Sequence, residues 1–238
     1  SMPEGLDEYS KELYLHDYLV ANCTYVDKEG ADTAYSALIK GEAICSGYAN
    51  AMQLLLSKAG IKSTIITGVA TDDQGHPQSH MWNIVYIDGR PYHLDATWND
   101  PVPDTKGNVR HMYFNVNDSY IAVSHSDFNI SIPCNDIADN YYKRQGQSFD
   151  RYDDGTRARI TLKLKENIEQ GKMQTELRFE NEKAFSAAVS SLLNKGEIYD
   201  ILRSVNTEHG INISTNAIKY SLNERLMIMV IIAEDKAS

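Results

Sequence analysis

Apolar and polar positions alternate along the chain with two clear periods. Leu6, Tyr9, Leu13, His16 and Val20 recur every three or four residues, so Leu6 to Asn22 is predicted as a helix with one face in a core. A lone histidine on such a stripe, here His16, is more often a hydrogen-bonded core residue than a reactive one. Asp32 or Thr33 can cap a short helix carrying Tyr35, Leu38 and Ile39, which stops near Gly41. A stronger helix follows from Cys45 to Ala59, with Ala49, Met52, Leu55, Leu56 and Ala59 on its apolar face and Gly60 placed as a left-handed C-terminal cap. Ile61 to Ala70 is rich in β-branched residues and reads as a strand, followed by the polar loop Thr71 to Ser79. Strands at His80–Ile87 and Pro91–Trp98 flank Asp88-Gly89, a hairpin-turn signal. The chain then turns irregular from Asn99 to Val109, with a short strand expected at His111 to Val116.

Residues 125 to 157 lose periodicity and read as a connector. Arg157 to Gln170 fits both periods: Ile160, Leu162 and Leu164 alternate, while Ile160, Leu164 and Ile168 step by four, so strand and helix both stay open. Met173 to Glu180 reads as a strand. Asn181 caps a helix bearing Phe185, Ala188, Val189 and Leu192, and a second helix runs from Glu197 to Glu208. Asn212–Leu222 and Arg225–Glu234 form an expected antiparallel pair turning at Asn223-Glu224, with Leu226 to Ala233 as a buried strand. Two domains are expected, 1–144 and 145–238.

The 238 residues suffice for a core without staples, and 42% hydrophobic with 24% charged residues is ordinary for a globular chain. A net charge of -10 with no Lys/Arg run argues against nucleic acid and anionic membrane as partners. The longest apolar run is far below the ~20 residues of a membrane helix, so no membrane span is expected. Ser1-Met2 reads as an expression remnant, which leaves the compartment open at this end. Three widely spaced cysteines, Cys23, Cys45 and Cys134, fit neither a disulfide framework nor a zinc knuckle.

Chemistry concentrates between Ala43 and Asp100. Cys45 falls in the first turn of its helix, where unpaired N–H groups and the dipole favour a thiolate. If Asp88-Gly89 is a two-residue loop, paired residues sum to 177, which makes His80 and Asp95 diagonal neighbours on one sheet face with Cα atoms about 7–8 Å apart. A base needs such an orienting carboxylate: His80 would take the Cys45 proton through one ring nitrogen while Asp95 accepts from the other. Trp82 shares the face and could shield the pair from water. His93 shares it too and is the rival histidine. Each residue alone has a bland reading, Cys45 as a small buried hydrophobe, His80 and Asp95 as strand and turn residues, Trp82 and Trp98 as core; their joint order and parity favour chemistry. His76, His80, His93, Cys45 and Asp95 are zinc-type ligands, but no Cys-x-x-Cys or His-x-x-x-His spacing is present, and no metal is expected.

At these residues the sequence resembles the transglutaminase-like superfamily. The resemblance rests on Gly41-Glu-Ala-Ile-Cys-Ser-Gly-Tyr-Ala49, His80-Met-Trp-Asn83 and Asp95-Ala-Thr-Trp98, with Gly60-Ile61 and Gly68, and covers about residues 10 to 125. It implies an α+β, papain-like core in which a helix bearing the cysteine packs on an antiparallel sheet bearing the histidine and aspartate, followed by a small α/β accessory domain. It further implies Cys45 as nucleophile, His80 as general base and Asp95 as third member, with no cofactor. No tryptophan precedes Cys45 to help hold an oxyanion; Tyr25, Tyr35 or Asn22 are candidates for that donor. No calcium-loop pattern is present. The expected activity is acyl transfer at amide bonds through a thioester, as a peptidase or amidase on protein or peptide substrates, cell-wall peptide included. The alternatives are a protein-glutamine transglutaminase and a catalytically inactive binding module. Bacterial members with accessory domains are commonly exported, so an extracellular or cell-surface location is expected.

Overall fold

A computed structural model describes residues 2–101, 109–209 and 213–235. The chain divides into two compact units, Ser1–Tyr141 and Tyr142–Ser238. The first opens with α1 (Glu8–Asn22), which starts where the Asp7 carboxylate accepts the Ser10 N–H at 2.8 Å. Its buried face carries Tyr9, His16, Leu19 and Val20. β1 (Thr24–Tyr25) pairs in parallel with β2 (Glu42–Ala43), and between them a π-helical turn, Ser36–Lys40, ends at left-handed Gly41. One residue beyond β2 begins α2 (Cys45–Lys58), which buries Tyr48, Met52 and Leu56 and ends before Gly60, φ 78°. Of these, the fully buried Met52 and Leu56 side chains each contribute ~1.5–3 kcal/mol.

β3 (Ser63–Thr71), β4 (Pro77–Ile87) and β5 (Arg90–Leu94) form a meander. Asp88 and Gly89 both take positive φ, and the β4–β5 register pairs Asn83 with Leu94 and Ile84 with His93, sums of 177 as the two-residue loop requires. The strand expected to reach Trp98 stops at Leu94. The Asp95 carboxylate takes the backbone N–H groups of Thr97 and Trp98 and turns the chain instead. His80 therefore has no partner on the β5 side, and pairs on its other side with Gly68 of β3.

No strand forms at His111–Val116. Asn115 is left-handed, φ 52°, and only a single bridge links Val116 to His93. The Asn140 side-chain amide satisfies the Phe114 and Asn115 carbonyls that a strand would otherwise pair. Within the irregular stretch expected from Asn99 to Val109, residues 102–108 lie outside the described residues. After α3 (Asp118–Ile121), the expected connector contributes β6 (His125–Ser126), which completes the sheet order β5-β4-β3-β6.

The division between the units falls in α4 (Tyr141–Arg144). The second unit holds β7 (Ser148–Phe149), α5 (Asp154–Glu169), β8 (Gln174–Phe179), α6 (Glu182–Ala188) continued by a π-helical turn, α7 (Glu197–His209), β9 (Ile213–Asn223) and β10 (Ile228–Asp235), with sheet order β7-β8-β10-β9. The ambiguous stretch is helix α5: Asp153 caps it, Ile160, Leu164 and Ile168 face the core, and Leu162 is exposed. Asn181 caps α6 through the Ala184 N–H as expected. The turn between β9 and β10 runs through Glu224–Met227, with Met227 left-handed, and Ile228 to Ile231 and Ala233 of β10 are buried.

Candidate active site

Cys45 is delivered by tight local packing. A Cβ at position 47 would lie 2.6 Å from the Ala31 carbonyl oxygen and 2.8 Å from the Ala43 Cβ, so Gly47 lets the first turn of α2 press onto the segment before it. As first residue of the helix, Cys45 has a backbone N–H without an intrahelical acceptor. The Asn83 side chain donates to the Ala49 carbonyl at 3.1 Å and ties β4 to α2. Beside that contact the partly exposed Cys45 thiol lies close to the buried His80 ring, and the two line one cleft.

The other side of the ring meets Asp95: His80 Nε2 lies 2.7 Å from Asp95 Oδ2. With Nε2 committed there, Nδ1 is the nitrogen left for the sulfur. Asp95 is fully buried and accepts the Thr97 and Trp98 N–H groups on Oδ1, and His125 Nε2 at 3.1 Å on Oδ2. Burial pushes the Asp95 carboxyl up, but the His80 charge and the N–H groups of His125 and His80 outweigh it and hold it well below the usual carboxylate range. Burial pulls the His80 ring down, yet the Asp95 carboxylate, by charge and hydrogen bond, and the Cys45 sulfur raise it to about 10. Trp82 is buried and stacks on His80, ring centroids 6.0 Å apart.

His93, the rival histidine, has no nitrogen to spare. The Trp82 indole N–H, a donor only, meets its Nδ1 at 3.0 Å, so Nε2 bears the proton and donates to Asp118 Oδ1 at 3.0 Å. Burial keeps this ring below its ordinary value. The same logic bears on metal binding at the His93, Asp118 and Cys134 cluster, since a cation at Nε2 would force a proton onto Nδ1 against the indole N–H. A second cluster, His16, Asp17 and His111, is governed likewise. The Tyr113 N–H fixes the Asn99 amide, whose Nδ2 donates to His16 Nε2, so His16 Nδ1–H points at Asp17.

Two clefts flank the Cys45–His80 pair. One of about 280 Å³ is lined by Tyr25, Gln78, His80, Thr97, Trp98 and Asp100. The other, about 400 Å³, includes Cys45, Gly68, Ser79, His80 and Asp127. Tyr25 arrives because β1 pairs beside β2, and burial followed by the nearby Cys45 charge raises its phenol, leaving it a donor. The other two expected donors are directed elsewhere: Asn22 donates to the Tyr18 carbonyl, and Tyr35 is exposed beside Lys40. His76 is exposed and bonded to Asp72, in neither cleft. Gln78, Asp100 and His125 were not among the residues expected from the sequence. Gln78 was legible, since it sits two residues from His80 on one strand and so shares its face; His125 carried no local signal.

Residues 2–96 match the family model described as the transglutaminase-like superfamily. No curated protein matches the chain. Among solved structures it is similar to one described as a TGase, at 18% identity over 40% of this chain and 27% of that chain, TM-score 0.34. It is also similar to a "putative cysteine protease" from Cytophaga hutchinsonii, at 22% identity over 43% of this chain and 35% of that chain, TM-score 0.34. The alignments thus span about a quarter to a third of those structures' length. The family match covers the N-terminal part of the chain and takes in Cys45, His80 and Asp95.

Proposed function

We propose that Cys45, His80 and Asp95 form a catalytic triad that cleaves amide bonds in protein or peptide substrates. The observation that carries this reading is the histidine with one side on a thiol and the other on a buried, ionised carboxylate. The Cys45 sulfur attacks the carbonyl carbon, and the oxyanion is held by the Cys45 backbone N–H with the Tyr25 hydroxyl as second donor. The His80 imidazolium gives its proton to the departing amine, which leaves a thioester on Cys45. Water then attacks the thioester, His80 takes the water proton, and the released thiolate recovers its imidazolium partner as the acid departs.

Incubation with casein, with dimethylcasein plus a fluorescent amine, and with peptidoglycan fragments tests the reading. Hydrolysis of any of these, lost in Cys45→Ala, supports it. Amine incorporation with little hydrolysis would replace water by an amine as acceptor. No turnover of any substrate would favour a binding module on this fold.

A further inference from the structure

Asp95 has one partner more than a thiol-imidazole-carboxylate set requires. The Thr97 and Trp98 N–H groups already hold Oδ1 at 3.0 and 3.2 Å and fix the carboxylate's orientation. His125 adds a second bond to Oδ2, the same oxygen that faces His80. The arrangement that places it is specific. β6 pairs Ser126 with Val69 and His125 with Ala70, and the Thr71 N–H reaches the Ser124 carbonyl at 2.8 Å. Gly68 makes room for this strand, since a Cβ there would lie 2.5 Å from the Ser126 carbonyl and 2.9 Å from the Trp82 ring. The His125 ring is then packed among Trp98, Trp82, Tyr113 and His80, with centroids 4.8 to 5.4 Å away.

Its proton is directed as well. A carboxylate only accepts, so Nε2 bears the proton and Nδ1 accepts from the Ser124 hydroxyl at 2.9 Å, whose oxygen accepts in turn from the Tyr113 hydroxyl at 2.9 Å. The titratable groups facing this ring are Asp95 beyond β5, His80 on β4, His93 on β5 and Tyr113 in the loop before α3.

We propose that His125 is a positioning residue of the same site: pointed by Ser124 and Tyr113, it occupies part of Asp95 Oδ2 as a neutral donor and limits how tightly Asp95 holds the His80 imidazolium. Burial keeps His125 below its ordinary value, in line with a neutral ring. An oxygen already bonded to a neutral N–H stabilises a neighbouring cation less. His80 can then release its proton to the leaving amine and recover it from water. This inference rests on the Cys45, His80 and Asp95 reading.

The test is the titration of His80, followed by NMR with 13Cε1-histidine in the full chain. His125→Phe keeps a ring and drops the donor, His125→Gln restores an N–H near Nε2, and Ser124→Ala removes the hydroxyl behind it. The expected result is a His80 midpoint raised by about one pH unit in His125→Phe, raised less in Ser124→Ala and close to wild type in His125→Gln. An unchanged or lowered midpoint in His125→Phe would overturn the proposal. If that variant does not fold, Ser124→Ala decides in the same way, a rise in support and no change against. Failure of the underlying reading looks different: alkylating Cys45 in the wild type would leave the His80 titration where it was.

Discussion

His80 and His93 stand on adjacent antiparallel strands, share a sheet face and each bond an aspartate, at 2.7 and 3.0 Å. Trp82 touches both, stacking on the first and donating to the second. What separates them is the remaining nitrogen. In His80 it is left for a thiol, and the Asp95 carboxylate first, with the Cys45 sulfur behind it, raises the ring to about 10; in His93 it accepts an indole N–H, and burial holds the ring down. Two histidines with the same sequence credentials thus differ in what faces the second ring nitrogen.

Substitutions can break this contrast in order of size. Cys45→Ala should abolish turnover while leaving the fold intact, as read by activity and circular dichroism. His80→Gln should cost about 10³-fold or more in kcat/KM, against less than about 10-fold for His93→Gln, because only the first ring is placed to move the thiol proton. Asp95→Asn should cost about 10²–10⁴-fold, since an amide supports the wrong tautomer. Trp82→Phe keeps a ring against His80 and strips the donor from His93 Nδ1, so urea unfolding should show a loss of about 1–2 kcal/mol.

The pH dependence of stability sharpens the same contrast. The folded Asp95 value lies below its ordinary 3.8, so its contribution is present above that pH and is lost as pH falls towards the folded value. The His80 value is raised from 6.5 to about 10, so its contribution is whole below 6.5 and fades as pH climbs through 10. His93, lowered, adds no such alkaline loss. His80→Gln should therefore flatten the alkaline limb of the urea midpoint, and His93→Gln should leave it. Glu12 carries a shift of similar size in a lower pH window. Burial lifts its carboxyl from 4.5 to about 8, so the folded chain keeps a proton that the unfolded chain gives up, and stability falls with pH over that interval. Glu12→Gln should remove that slope.

Where periodicity and turn chemistry acted locally, the sequence was informative. The Cys45 helix and its Gly60 cap follow from a stripe of Ala, Met and Leu, and the Asp88-Gly89 loop set the register that brings His80 near Asp95. The parity argument survived although β5 ends at Leu94, because the Asp95 turn keeps its carboxylate on the His80 side. His125 was hidden because a two-residue strand has no period, and its place depends on pairing with β3 far back in the chain. The strand expected at His111–Val116 is absent because a side-chain amide, Asn140, takes the bonds a strand would make. In α5 both periods fitted, and the Asp153 cap favoured the helix.

The most direct test of the Cys45–His80 pairing is the rate of alkylation by iodoacetamide at each cysteine, read by peptide mass spectrometry in the wild type and in His80→Gln. The account predicts that Cys45 reacts far faster than buried Cys23 and Cys134, and that this advantage collapses about 10²-fold in His80→Gln. Equal labelling of the three thiols, or a Cys45 rate indifferent to His80, would contradict it.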